Sequence, residues 1–255
     1  VNGLGDALWA EARKAAASRV LRTAAVLLVA GVAVLGAALT AAVGAGSEQI
    51  AAKLGPLADA TGWALLLAVV TQIVAAGALL TFGITLSWSF GREFTDGTIN
   101  GLFAIPTTRP ALVTAKLLVH LAWTALVGLA LTVLVAGVGL AIGLGGIDAA
   151  SAAGLVRLFA LTALSGLLAT PAAWAATLGR GPMAGVATAV GLIVVAQTAA
   201  LALPRQGAWL PLAAPAFWAL DLNAVTPAQL GLVPLTAVAF GALTARAWNR
   251  LQLDR

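Results

Sequence analysis

Chemistry in this chain has few residues to come from. Among 255 residues there are 14 Lys or Arg, 9 Asp or Glu, one His and no Cys. Without cysteine there is no thiolate nucleophile, no disulfide and no thiolate metal site. The lone histidine, His120, lies one helical turn beyond Lys116 and can titrate near neutral pH. No second metal ligand and no serine in a recognisable motif stands beside it, so it reads as an interfacial hydrogen bonder. The densest polar run is the segment 88–110, WSFGREFTDGTINGLFAIPTTRP, with Lys116 just beyond. Within it Glu93 and Arg109 are the groups best suited to charge-assisted hydrogen bonds that fix a segment in place. The plainer alternative pairs Glu93 with Arg92 or Lys116 as a solvated ion pair, worth roughly 0–1 kcal/mol.

Local signals frame these residues. Thr95 or Asp96 can cap a short helix that Pro106 ends, and Ile99, Leu102, Phe103 and Ile105 give it an apolar face. A second helix start follows, with Thr108 or Arg109 as cap and Pro110 in the first turn. A short amphipathic helix in such a place is a docking element, or else a loop packed under its own bundle.

The elements that must position this run are membrane helices. The chain is 61% apolar and 9% charged, with mean hydropathy +1.02, against roughly 45–50% and 25% in soluble chains. That excludes a soluble enzyme, a disordered chain and a secreted disulfide scaffold. It predicts an all-α, polytopic membrane protein forming a single domain over 1–255. Six stretches match the roughly 20 apolar residues of a helical span: 23–43, 63–86, 117–142, 155–178, 183–203 and 230–248. Pro171 and Pro234 lie inside two of them and call for a kink or a packed neighbour. Gly137, Gly139 and Gly143 are small residues of the kind that lets helices approach in lipid.

Placing both termini on one side puts eleven basic residues there: Arg13, Lys14, Arg19, Arg22, Arg92, Arg109, Lys116, Arg180, Arg246, Arg250 and Arg255. Only Lys53, Arg157 and Arg205 fall opposite. The positive-inside bias makes the first side cytoplasmic. The same bias explains the net charge of +5 with no nucleic-acid partner. Residues 1–22 form an amphipathic helix in the inner interface, with Leu4, Leu8, Trp9, Ala12 and Ala16 in one sector and Trp9 as its anchor. Trp63, Trp209 and Trp218 read as an outer aromatic belt and Trp88, Trp174 and Trp248 as an inner one. The loop 44–62 has room for a short helix near residues 47–54. Segment 204–227, rich in proline and aromatics, suits short interfacial or re-entrant helices.

Here the sequence resembles the ABC-2 type permeases, the membrane subunits of ATP-driven bacterial exporters. Glu93, Gly97-Thr98, Leu102, Pro106, Thr108-Arg109 and Lys116 match the signature between spans two and three, with Thr108 where serine is common. The resemblance implies a coupling helix around residues 97–104 that seats, with Phe103, on a separate cytoplasmic ABC ATPase. It implies two permeases, this chain paired with itself or a paralogue, and two ATPases, in the bacterial inner membrane. It also implies that 204–227 caps the path from outside. No cofactor is expected in this chain, since no G-x-x-x-x-G-K-[ST] loop is present; ATP and Mg belong to the partner. The cargo would be hydrophobic or amphipathic: a drug, an antibiotic or a lipid-like compound.

Candidate path residues are Gln72, Thr81, Thr85, Trp123 and Gln197, although amides and hydroxyls in spans more often hydrogen-bond between helices. Arg157 is expected to snorkel toward the surface, with Asp148 or Asp221 as partner. An ion-coupled secondary transporter is disfavoured because no Asp or Glu falls inside the six stretches. An intramembrane enzyme lacks a serine–histidine motif, and a non-transporting scaffold would leave the 88–110 run unexplained.

Overall fold

The computed structural model describes residues 3–252 except 105, 204 and 205, with the side chains of 200, 201, 220 and 222 also outside the description. The chain is helical, with no strand among the described residues. Its elements are α1 (Leu4–Ala17), α2 (Arg19–Gly44), α3 (Glu48–Leu54), α4 (Gly62–Thr95), α5 (Ile99–Ala104), α6 (Arg109–Ala141), α7 (Ala149–Leu168), α8 (Thr170–Leu178), α9 (Pro182–Ala202), α10 (Ala214–Leu220) and α11 (Pro227–Arg250). Six helical stretches are long and apolar enough to cross a membrane: α2, α4, α6, α7 with α8, α9 and α11.

The spans are where the apolar runs place them, but several boundaries move. The N-terminal helix stops at Ala17 rather than running through residue 22. Ser18 adopts an extended backbone and its hydroxyl accepts from Leu21 N at 3.2 Å, so it opens α2 and Arg19 belongs to that helix. Helix α4 does not end near residue 86. It continues to Thr95, about 51 Å of helix at 1.5 Å per residue, which exceeds a hydrocarbon core of about 30 Å. Residues 88–95, expected in a loop, are therefore its projecting last turns. Nothing in them breaks a helix until Gly97, whose φ of 68° lies in the left-handed region.

The fourth span is two helices. Pro171 has no N–H to give the Leu167 carbonyl, and Thr170 Oγ1 donates to that carbonyl at 2.8 Å, so the break leaves no orphan acceptor. Pro234, by contrast, is accommodated inside a continuous α11. Of Gly137, Gly139 and Gly143, Gly139 is the one in tight contact, because a Cβ there would lie 2.3 Å from the Trp63 ring. The loop helix expected near 47–54 is α3, followed by a 3₁₀ turn at Gly55–Asp59.

Helix α4 is central, packed against α2, α7, α8 and α9. Phe82, Phe90, Leu66, Leu86 and Trp248 are fully buried around it. Close approach depends on small residues: a Cβ on Gly83 would sit 2.4 Å from Ala189 Cβ, and one on Gly91 would sit 2.3 Å from Pro182 N. Helix α1, α5, the start of α6, the α8–α9 turn and the end of α11 gather at one end of the bundle, called the basic end below. Helix α10 lies toward the other end and folds back against α4, α7, α9 and α11.

Candidate functional site

The final turns of α4, the first turns of α6 and the middle of α1 bring four opposite charges together. Lys116 Nζ lies 2.6 Å from Glu93 Oε1 and 2.9 Å from Glu11 Oε2. Lys14 Nζ lies 2.8 Å from Glu11 Oε1 and 3.2 Å from Glu93 Oε1. Two carboxylates and two ammoniums thus alternate in a neutral ring. The Lys116, Glu93 and Glu11 side chains are 1%, 3% and 6% exposed, whereas Lys14 is 41% exposed. Burial disfavours the Lys14 charge, but its hydrogen bond to Glu11 and the charges of Glu11 and Glu93 outweigh that and raise its pKa above the ordinary lysine value.

Thr98 completes the ring on the side of α5. Its hydroxyl donates to the second Glu93 oxygen, while its carbonyl accepts the first bond of α5, from Leu102 N at 3.1 Å. Thr95 and Asp96, the expected caps of this helix, instead end α4. Gly97 turns the chain between the two helices. A cavity of about 40 Å³ adjoins the ring, walled in part by Thr85, Trp88 and His120. His120 is buried, its Nε2 3.2 Å from the Gly166 carbonyl, which makes it a core contact between spans rather than an interfacial group.

The other end of α5 is held by a second knot. Arg109, first residue of α6, donates through Nη1 to the carbonyls of Trp248 and Leu251 at 3.0 Å each and of Asn249 at 3.4 Å. A cation at the C-terminus of α11 satisfies acceptors that the helix leaves open and meets the negative end of its dipole. The same guanidinium sits 3.9 Å over the Phe103 ring. Trp248 closes this knot: its rings meet Phe90, Phe94 and Phe103 edge-on at 5.8–6.4 Å, and Nε1 donates to Thr177 Oγ1 at 3.1 Å. Trp248 is 0% exposed and so is a core residue, not part of an inner belt. Thr108 caps α6, its Oγ1 accepting from Ala111 N at 3.4 Å.

Most of the expected coupling residues converge. Glu93, Thr98 and Lys116 form the ring; Phe103 and Arg109 form the knot; Gly97 and Thr108 set the two turns, and Leu102 packs inward. Pro106 is exposed, and Ile105 lies outside the described residues. The solvated pairing of Glu93 does not occur, since its partner Lys116 is buried with it. Arg92 pairs with Asp96 at 3.6 Å.

Glu11 and Lys14 were missed. Their signal was a carboxylate three residues before a lysine on an alanine-rich helix. The amphipathic pattern of α1 singles out Trp9, yet Trp9 is 64% exposed under the Arg13 guanidinium, while Ala7 and Glu11 are the buried positions.

The candidate path residues do not converge on one channel. Thr81 and Thr85 line a groove of about 470 Å³ beside Arg19, Thr23 and Leu27 of α2. Trp123 packs edge-on to Phe82 at 5.5 Å. Gln72 and Gln197 are both exposed side chains on α4 and α9. Arg157 is half-buried, with no carboxylate of the described residues within 4.0 Å, although the charge of Asp221 acts favourably on it. It donates to the carbonyls of Trp218 and Ala219 at the end of α10, and Asp148 caps α7 through Ser151 N at 2.8 Å. The four hydrogen-bond and charge partners of the ring, however, give no pair of groups poised over a substrate. The ring is a device for holding helices together.

The described residues thus form a multi-pass helical protein with a short helix tethered between its second and third spans. The model of one family, ABC-2 family transporter protein, matches residues 8–196, and the chain belongs to that family. It is therefore a membrane transporter subunit of an ABC system. No curated protein matches the sequence.

Proposed function

We propose that this chain is the permease of an ATP-driven exporter and that α5 is its coupling helix, seated on a separate cytoplasmic ABC ATPase. The observation that supports this best is the attachment of α5 at both ends. Through Thr98 it is bonded to the ring that joins α1, α4 and α6, and through Phe103 it abuts the knot that joins α6 and α11. A push on a six-residue helix held this way moves four other helices rather than bending a loop.

In this reading the basic end is cytoplasmic, in the inner membrane of a bacterium. Two ATPases bind ATP and Mg, and two permeases, identical or paralogous, enclose the path. Segment 204–227, including α10, covers the outer mouth as a re-entrant element. The cargo is hydrophobic or amphipathic, a drug, antibiotic or lipid-like compound, consistent with the apolar groove beside Thr81 and Thr85.

The test is to co-express the chain with the ATPase from the same operon and measure complex formation and ATP turnover, for wild type and Glu93→Ala. Co-purification with turnover lost in Glu93→Ala is expected. Absence of any ATPase, or unchanged turnover in that variant, removes the proposal.

A further inference from the structure

Arg246 and Arg250 stand one turn apart on α11, and the described residues offer neither of them a carboxylate partner. Like charges at this spacing repel and destabilise a helix slightly. Both side chains line a concavity of about 570 Å³ between α8 and α11, to which Arg180, in the turn after α8, adds a third guanidinium. Among the described residues no acidic one borders it. Its remaining wall includes Trp174, Leu178 and Leu243, and Leu178 and Leu243 are 58% and 42% exposed on membrane-crossing helices.

The two parts of this wall ask for different things. Guanidinium forks bind phosphate oxygens in pairs. Exposed leucines and a tryptophan at the end of a span face acyl chains and the headgroup boundary. We infer that this concavity binds the phosphate-bearing headgroup of an anionic lipid in the leaflet at the basic end, with the acyl chains along Leu178 and Leu243. Positive-inside topology alone accounts for arginines at this end, but not for Arg246 and Arg250 standing one turn apart, without a carboxylate partner among the described residues, in a hollow rimmed by apolar side chains. A soluble anion would leave that rim without purpose.

The experiment uses the full chain in detergent, with native mass spectrometry after incubation with phosphatidylglycerol or phosphatidylcholine. Preferential retention of phosphatidylglycerol is expected. In Arg246→Gln/Arg250→Gln that retention should fall by about tenfold or more, given the loss of two cations that would face an anionic headgroup. Arg246→Lys/Arg250→Lys should keep most of it, and Arg13→Gln, which removes an exposed arginine elsewhere at the same end, should keep all of it. Circular dichroism and gel filtration check that each variant is folded. Equal retention of the two lipids, or undiminished phosphatidylglycerol on the double Gln variant, overturns the inference. So does displacement of the lipid by inorganic phosphate at millimolar concentration, which would mark a soluble-anion site. Loss of ATPase co-purification without loss of lipid would assign the arginines to the partner and also overturn it. None of these readouts depends on export activity.

Discussion

At the scale of single residues, the ring of Glu11, Lys14, Glu93 and Lys116 sets the largest stakes. Each charge has its opposite within 3.2 Å, so removing one leaves a buried charge uncompensated. Lys116→Met should destabilise the protein by about 3–5 kcal/mol, read as a lowered Tm in detergent. Adding Glu93→Gln to it should restore part of that loss rather than add to it, since the two side chains share one network. The ring also shows what sequence could and could not reveal. Glu93 and Lys116 drew attention because they sit in a charge-rich run between apolar stretches. Glu11 did not, because its buried partner Lys116 lies 105 positions away, a distance no local pattern bridges. Trp248 misled for the same reason: tryptophan near a span end ordinarily marks an interface, and its burial follows from Phe90, Phe94 and Phe103 arriving from other helices.

At the scale of elements, turns and close contacts decide where helices stop and how near they come. Gly97 holds φ at 68° between α4 and α5, where a Cβ would meet no neighbour. Its cost of replacement is thus conformational: Gly97→Ala should lose about 1 kcal/mol and Gly97→Asn less, because Asn tolerates the left-handed region. Comparative thermal melts test the order. Gly185 is the opposite case, with space and not φ at issue. A Cβ there would fall 2.1 Å from Ser87 Oγ and 2.4 Å from the Ala172 carbonyl, so Gly185→Ala should cost about 1–3 kcal/mol by forcing α9 off α4 and α8, measurable in the same melts. The six spans were legible because lipid demands long apolar runs. Their ends were not, because hydropathy changes at the membrane surface while α4 continues beyond it as helix. The break in the fourth span was signalled by Pro171, yet the same residue type at position 234 breaks nothing, and only the surroundings distinguish them.

At the scale of the whole molecule, Arg109 links the entry of the third span to the exit of the sixth. Arg109→Lys keeps the charge but loses the planar fork over Phe103 and its multiple bonds to carbonyls. Hydrogen exchange should then rise together in α5 and in the last turn of α11, while α2 and α7 stay protected. A rise confined to α6 would show that the knot does not bind the two regions. The wider architecture also has an order in time. Glu11 finds Lys116 and Lys14 finds Glu93, so during synthesis the two residues of α1 leave the ribosome roughly a hundred residues before the ring can close. Until the start of α6 is made, α1 lacks the Lys116 that its Glu11 pairs with. Its docking then registers that three spans have been threaded in the right sense, making the N-terminal helix a late-closing latch on correct biogenesis.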